Sequence, residues 1–213
     1  MYETIKREII DTALKLKEYK LIALAGGNVS FRTEDGRILV TPSGMYYEGM
    51  VEDDILVMDI EGNIVEGSRK PSVDTVALLY IFKQMPEVNA VIHTHQVYAT
   101  AVGLIENKLP AAVTTLPNVT LGEVNVTDYS SAASLEMGIQ AVKHINGKRA
   151  VILKHHGVIT VGETLKQALY AAVYMEDAAK TYLVAKMAGN PAILTEEQVQ
   201  EAVEAFKNVG QKK

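Results

Sequence analysis

Apolar residues recur over positions 3–19 at Ile5, Ile9, Ala13, Leu14 and Leu16 among charged neighbours, a spacing that predicts an amphipathic helix. The period then shortens. Apolar runs at Val29–Phe31 and Arg37–Thr41 flank Thr33-Glu34-Asp35-Gly36 and predict a hairpin; Ile55–Ile60 and Ile64-Val65 around Glu61-Gly62-Asn63 predict a second. Residues 73–82 are mostly apolar and predict a buried helix, with Ser72 as its candidate N-cap. Val88–Ile92, rich in β-branched residues and following Met85-Pro86, predicts a buried strand. Residues 97–105 read as a helix, Pro110–Glu123 as a loop centred on Leu116-Pro117-Asn118, and Ser131–Ile145 as a helix. Strands are predicted at Ala150–Leu153 and Val158–Val161, then a helix from Thr164 to Gly189 carried by Leu165, Ala168, Leu169, Ala172 and Val173. Thr195-Glu196-Glu197-Gln198 is a capping box opening a last helix to about Asn208, with Gly210–Lys213 expected to be mobile. Hairpins first and helix–strand alternation afterwards predict an α/β protein: a central, mainly antiparallel or mixed sheet flanked by helices in three layers.

Composition narrows the class. The 213 residues suit one domain spanning 1–213, and 48% hydrophobic content supplies its core. A net charge of −5 without a long basic block argues against a nucleic-acid partner. No apolar run is long enough to cross a bilayer and the N-terminus has no signal-peptide core, so a cytoplasmic protein with no membrane partner is expected. Cysteine is absent, which excludes disulfides and thiolate metal sites.

The histidines carry the candidate chemistry. Four of the five fall in two tight groups, His93-Thr94-His95 and His155-His156-Gly157, each at the end of a predicted strand; His144 stands apart at a helix end. Side chains on a strand alternate faces, so His93 and His95 point the same way and only one of His155 and His156 can join them. Three imidazoles from two strands suit a divalent transition metal with a position left for substrate. Gly26-Gly27, just ahead of Asn28-Val29-Ser30, marks a sharp turn or a close backbone approach.

Gly27-Asn28-Val29-Ser30, Thr41-Pro42-Ser43-Gly44, Lys70-Pro71-Ser72-x-Asp74, His93-x-His95 and His155-His156-Gly157, in this order, resemble the class II aldolase/adducin family over residues 3–187. Its enzymes include L-fuculose-1-phosphate aldolase and L-ribulose-5-phosphate 4-epimerase. The resemblance implies Zn2+ held by His93, His95 and His156, with His155 left to a supporting role. It implies that Asp74 ligates the metal when substrate is absent and moves protons during the reaction, and that Asn28, Ser43, Gly44 and Ser72 bind a phosphate. It also implies a homotetramer with active sites between subunits. The expected reaction is cleavage of a phosphorylated sugar, a ketose 1-phosphate like L-fuculose 1-phosphate, to dihydroxyacetone phosphate and a small aldehyde such as lactaldehyde, through an enediolate stabilised by zinc. The alternatives are the 4-epimerase and a non-catalytic, adducin-like binding module. Five positions depart from relatives. Asp74 is an epimerase-like acid where the aldolases carry Glu, and Val73 replaces a serine of the phosphate site. Asn118 stands where epimerases carry Asp. Thr114 and Val209 stand where fuculose-phosphate aldolases carry tyrosines.

Overall fold

The computed structural model describes residues 2–206. In chain order its elements are α1 (Glu3–Glu18), β1 (Asn28–Arg32), β2 (Ile38–Val40), β3 (Leu56–Met58), β4 (Ile64–Glu66), α2 (Thr75–Gln84), β5 (Ala90–Thr94), α3 (Val97–Ile105), β6 (Lys108–Leu109), α4 (Thr115–Thr120), β7 (Val124–Asn125), α5 (Leu135–Ile145), β8 (Ala150–Leu153), β9 (Gly157–Gly162), α6 (Leu165–Ala188) and α7 (Glu196–Phe206). Seven strands form one sheet in the order β4-β3-β2-β1-β5-β9-β8, with every pairing antiparallel. Among the described residues, parallel character is confined to an isolated bridge between Val126 and Ile152.

Both faces of the sheet are covered, which explains why β5 and β9 read as unbroken apolar runs rather than as alternating ones. Val91, Val151, Leu153 and Ile159 pack with α2 and α5 on one side. Val29, Leu39, Ala90 and Ile92 pack with α1 and α6 on the other. This sandwich of helix, sheet and helix is the three-layer α/β arrangement expected from the sequence. Strand alternation puts His93 on the face of Val91, toward α2. Among the described residues no helix is long and apolar enough to cross a membrane.

Three local expectations are corrected. Pro110–Glu123 contains the short helix α4 rather than a continuous loop. Its Pro117 sits in the first turn, where an N–H has no intrahelical partner in any case, so the proline breaks nothing. Ser72 is not the N-cap of α2; that position belongs to Asp74, and Thr75 Oγ1 instead donates to the Ser72 carbonyl at 2.7 Å. Finally, α5 opens at Leu135 with Ser134 as its cap, accepting from the Met137 N–H at 3.2 Å. The capping box holds: Thr195 N–H donates to Gln198 Oε1 at 2.9 Å and Gln198 N–H to Thr195 Oγ1 at 3.3 Å. The expectations for Val209, for a helix end at Asn208 and for a mobile 210–213 tail lie outside the described residues.

Candidate metal centre and active site

β5 holds His93 in the middle of the sheet, opposite Asn28 on β1 and Ile159 on β9. Its Nδ1 lies 2.9 Å from the Val158 carbonyl. A carbonyl only accepts, so Nδ1 carries the proton and Nε2 presents its lone pair. His95 follows one residue past the end of β5, with its Nε2 3.1 Å from that of His93. His156 comes from the turn joining β8 to β9. The sequence puts the His155-His156 pair at the end of a strand, with strand alternation choosing between the two; a tight hairpin carries the pair, and His155 adopts a left-handed backbone (φ 60°). That reversal leaves His155 exposed beside Tyr129 and brings the His156 ring to 4.8 Å from the His93 ring. The candidate ligand nitrogens of His93, His95 and His156 all lie within 4.8 Å of one another.

Burial disfavours the charged form of two of these rings, His93 and His156. Burial, reinforced by His156 and His95, pushes His93 down to about 3. Burial and then His95 also lower His156, against an opposing pull from Asp74. An imidazole whose folded pKa lies below its unfolded value of about 6.5 weakens the fold as pH falls below that value, because only the unfolded chain takes up the proton. Metal-free protein is therefore expected to lose about 2 kcal/mol more stability than a His93→Gln variant between pH 6.5 and pH 5. Urea unfolding of both at the two pH values measures this, and equal losses would refute a neutral, buried His93.

The glycine loop ahead of β1 is shaped by the same histidine. Gly27 has φ 72°, and a Cβ there would lie 2.5 Å from the His93 carbonyl oxygen. The Tyr47 hydroxyl, pushed up to about 12 by burial, donates to the Gly27 carbonyl at 3.0 Å with that of Gly26 at 3.2 Å. Tyr47 thereby ties this loop to the segment carrying Ser43 and Gly44, a link that residue patterning gave no sign of.

Asp74 makes no capping bond to α2. Its Oδ2 instead accepts from Asn28 Nδ2 at 2.9 Å and lies 3.9 Å from His93 Nε2. The same Asn28 amide donates to Ser72 Oγ at 3.0 Å. Asn28, Ser72, Asp74 and His93 thus form one buried network, in which Asn28 Oδ1 has no hydrogen-bond partner among the described residues. Ser43 and Gly44 are exposed. The Ser43 N–H donates to the Lys70 carbonyl at 2.9 Å and Pro42 pairs with Pro71, so their loop runs beside the Ser72 segment. Asn118 is occupied elsewhere: with its amide nitrogen turned inward it donates to the carbonyls of Thr114 at 2.9 Å and Ala202 at 2.8 Å, clamping α4 to α7.

The family model for the class II aldolase and adducin N-terminal domain matches residues 7–183. The chain belongs to this family. Among relatives of this class II aldolase, a 5-deoxy-D-ribulose 1-phosphate aldolase of Bacillus thuringiensis serovar kurstaki is 29% identical over 207 residues, 97% of each chain. An L-fuculose phosphate aldolase of Escherichia coli strain K12 is 30% identical over 207 residues, covering 97% of this chain and 95% of that one. A solved L-fuculose 1-phosphate aldolase superposes with a TM-score of 0.92 at 34% identity, covering 97% of this chain and 98% of that one.

Class II aldolases are metal-dependent, and the donor set here fits a metal ion. Three imidazoles converge, one with its outer nitrogen fixed by a carbonyl, and His156 Nδ1 is buried without a hydrogen-bond partner among the described residues. A tetrahedral zinc with bonds of about 2.0–2.1 Å needs donor nitrogens roughly 3.3 Å apart. The 3.1 Å between His93 Nε2 and His95 Nε2 meets that spacing.

Proposed function

We propose that this class II aldolase cleaves a ketose 1-phosphate, L-fuculose 1-phosphate or a close analogue, to dihydroxyacetone phosphate and a small aldehyde. In this reading His93, His95 and His156 hold Zn2+. The observation that carries it is the convergence of the three imidazoles beside one network containing Asp74, Asn28 and Ser72. The names of the relatives support the substrate class, since both fuculose phosphate and 5-deoxyribulose 1-phosphate are phosphorylated deoxyketoses.

The bound metal would supply Lewis-acid polarisation of the sugar's carbonyl. The protein's own groups do the rest. In this reading the phosphate meets the Ser72 and Ser43 hydroxyls and the Gly44 backbone, which small residues allow it to approach closely; Asn28 supports the site by donating to Ser72 Oγ, and the Ser43 N–H is taken by the Lys70 carbonyl. In cleavage the C4 hydroxyl gives up its proton and C4 becomes the aldehyde carbonyl as the C3–C4 bond breaks; the electron pair of that bond stays at C3, which then takes up one proton. In this reading the Asp74 carboxyl group exchanges the C3 proton, delivering it in cleavage and removing it in the reverse direction. Asn28 orients that group through its 2.9 Å bond to Oδ2. The 4-epimerase reading requires a proton carrier at position 118, and the Asn118 amide is engaged in the clamp between α4 and α7. The proposal extends to residues 1–213 as one domain, a cytoplasmic setting and a homotetramer, for which exposed Val97, Leu104 and Ile105 on α3 offer apolar contact surface.

The test is zinc-loaded protein given L-fuculose 1-phosphate, 5-deoxy-D-ribulose 1-phosphate and L-ribulose 5-phosphate in parallel. Release of dihydroxyacetone phosphate from either of the first two is expected. Xylulose 5-phosphate from the third alone would replace the aldolase by an epimerase, and silence on all three with zinc bound would overturn the substrate class.

A further inference from the structure

Of the three clustered histidines, His95 is the one the sheet does not hold. His93 is fixed within β5, and the His156 N–H donates to the Leu153 carbonyl at 3.1 Å within its hairpin. His95 lies between the last residue of β5 and the first turn of α3, and it is exposed. The residues after it nevertheless have a built geometry. Thr94 Oγ1 donates to Gln96 Oε1 at 2.7 Å, and Gln96 Nε2 donates to the Ala172 carbonyl on α6 at 2.9 Å. Gln96 is the N-cap of α3, yet its side chain caps nothing. The cap is supplied from another helix: Glu176 on α6 accepts the Tyr98 N–H on Oε1 and the Ala99 N–H on Oε2, each at 2.9 Å. Both carboxylate oxygens are thus used on two otherwise orphan donors at the positive end of a helix. On its other flank α3 has no slack, since a Cβ at Gly103 would lie 2.7 Å from Ile152 Cγ2.

We propose that Glu176 is a positioning residue for the metal centre. By fastening the first turn of α3 to α6, it fixes the chain direction at His95 and so the approach of His95 Nε2 to His93 Nε2. The inference rests on reading the three histidines as a metal site. A neutral amide at position 176 would keep one accepting oxygen and turn an NH2 group against the second N–H, so Gln should retain part of the effect and Ala none.

The experiment measures Zn2+ affinity of the metal-free protein by competition with a chromophoric chelator, and the visible spectrum of the Co2+ form, for wild type, Glu176→Ala, Glu176→Gln and Ser134→Ala. The last removes the cap of α5 and serves as a control for loss of helix stability alone. Expected are a tenfold or greater loss of affinity and an altered Co2+ spectrum for Glu176→Ala, an intermediate loss for Glu176→Gln, and unchanged affinity for Ser134→Ala. If Glu176→Ala does not fold, the near-isosteric Gln variant carries the test. Wild-type affinity in the folded Glu176 variants, or an equal loss in Ser134→Ala, overturns the inference while leaving the three-histidine site standing. Wild-type protein that takes up neither metal overturns both.

Discussion

Asp74→Asn is expected to lower kcat on a ketose 1-phosphate by about 10²–10⁴-fold, with zinc content and thermal midpoint nearly unchanged. The size follows from the proposed role of Asp74 as the group that exchanges a proton with the substrate; the small structural effect follows from geometry. Asp74 occupies the N-cap of α2 but contributes no side-chain cap, so an isosteric amide deprives the helix of no bond. Asn can turn its oxygen toward Asn28 and keep the 2.9 Å contact, so the network with Ser72 also survives. What disappears is a carboxyl group 3.9 Å from His93 Nε2. Asp74→Glu separates acidity from placement: it keeps the proton carrier but shifts it by one methylene, and should recover more of kcat than Asn does. Steady-state kinetics with metal analysis on each variant decide the matter. A fully active Asp74→Asn would remove Asp74 from the chemistry and leave it a helix-start residue.

The contrast between Asp74 and Ser72 shows what residue order could and could not disclose. The β-branched residues before the histidines required a strand, and β5 supplies it with His93 inside; His95 lies one residue past its end and reaches the same cluster from the connection to α3. Selection of His156 over His155 agrees with the resemblance, but strand alternation is not its cause. A left-handed residue in a two-strand turn makes the choice, and nothing in the residue types of Lys154-His155-His156 announces that conformation. Ser72 has cap chemistry without the cap position, because Asn28, 44 residues earlier in the chain, takes its hydroxyl. α4 was hidden by Pro117, a residue that reads as a breaker until its place in the first turn is known. Glu176 and Tyr47 were hidden for the same physical reason. Each acts across the fold on backbone groups, and backbone N–H and C=O groups look the same at every position in a sequence. Periodicity reveals which face of an element is buried; it carries no record of which distant side chain closes a helix end.

Gly157→Ala is expected to destabilise the metal-free protein by about 3 kcal/mol and to weaken zinc binding in the same variant. Gly157 opens β9 directly after His156, where it pairs with Leu153 across the hairpin. A Cβ added there would lie 2.3 Å from the Thr94 carbonyl oxygen and 3.1 Å from His95 Cδ2. The first contact is with the backbone at the end of β5, an interior strand of the sheet, so no side-chain rotation relieves it. Either β9 moves off β5 or the turn carrying His156 shifts, and each outcome separates two of the three imidazoles. For a chain of this length such a loss lowers the thermal midpoint by roughly 6–12 °C. Gly49→Ala supplies the comparison: a Cβ at Gly49 meets no atom within 4 Å and the backbone there is not left-handed, so its effect should stay within about 0.5 kcal/mol. Urea unfolding of both variants, with zinc titrated into each, reads stability and site geometry separately. A stable Gly157→Ala with weakened zinc binding would mean that the turn yields and the sheet holds. An unstable one that still binds zinc tightly would mean the reverse, and would show that His156 reaches the site independently of the β5–β9 spacing. Wild-type behaviour in both measurements would contradict the close packing of His95, Thr94 and Gly157 from which the site is built.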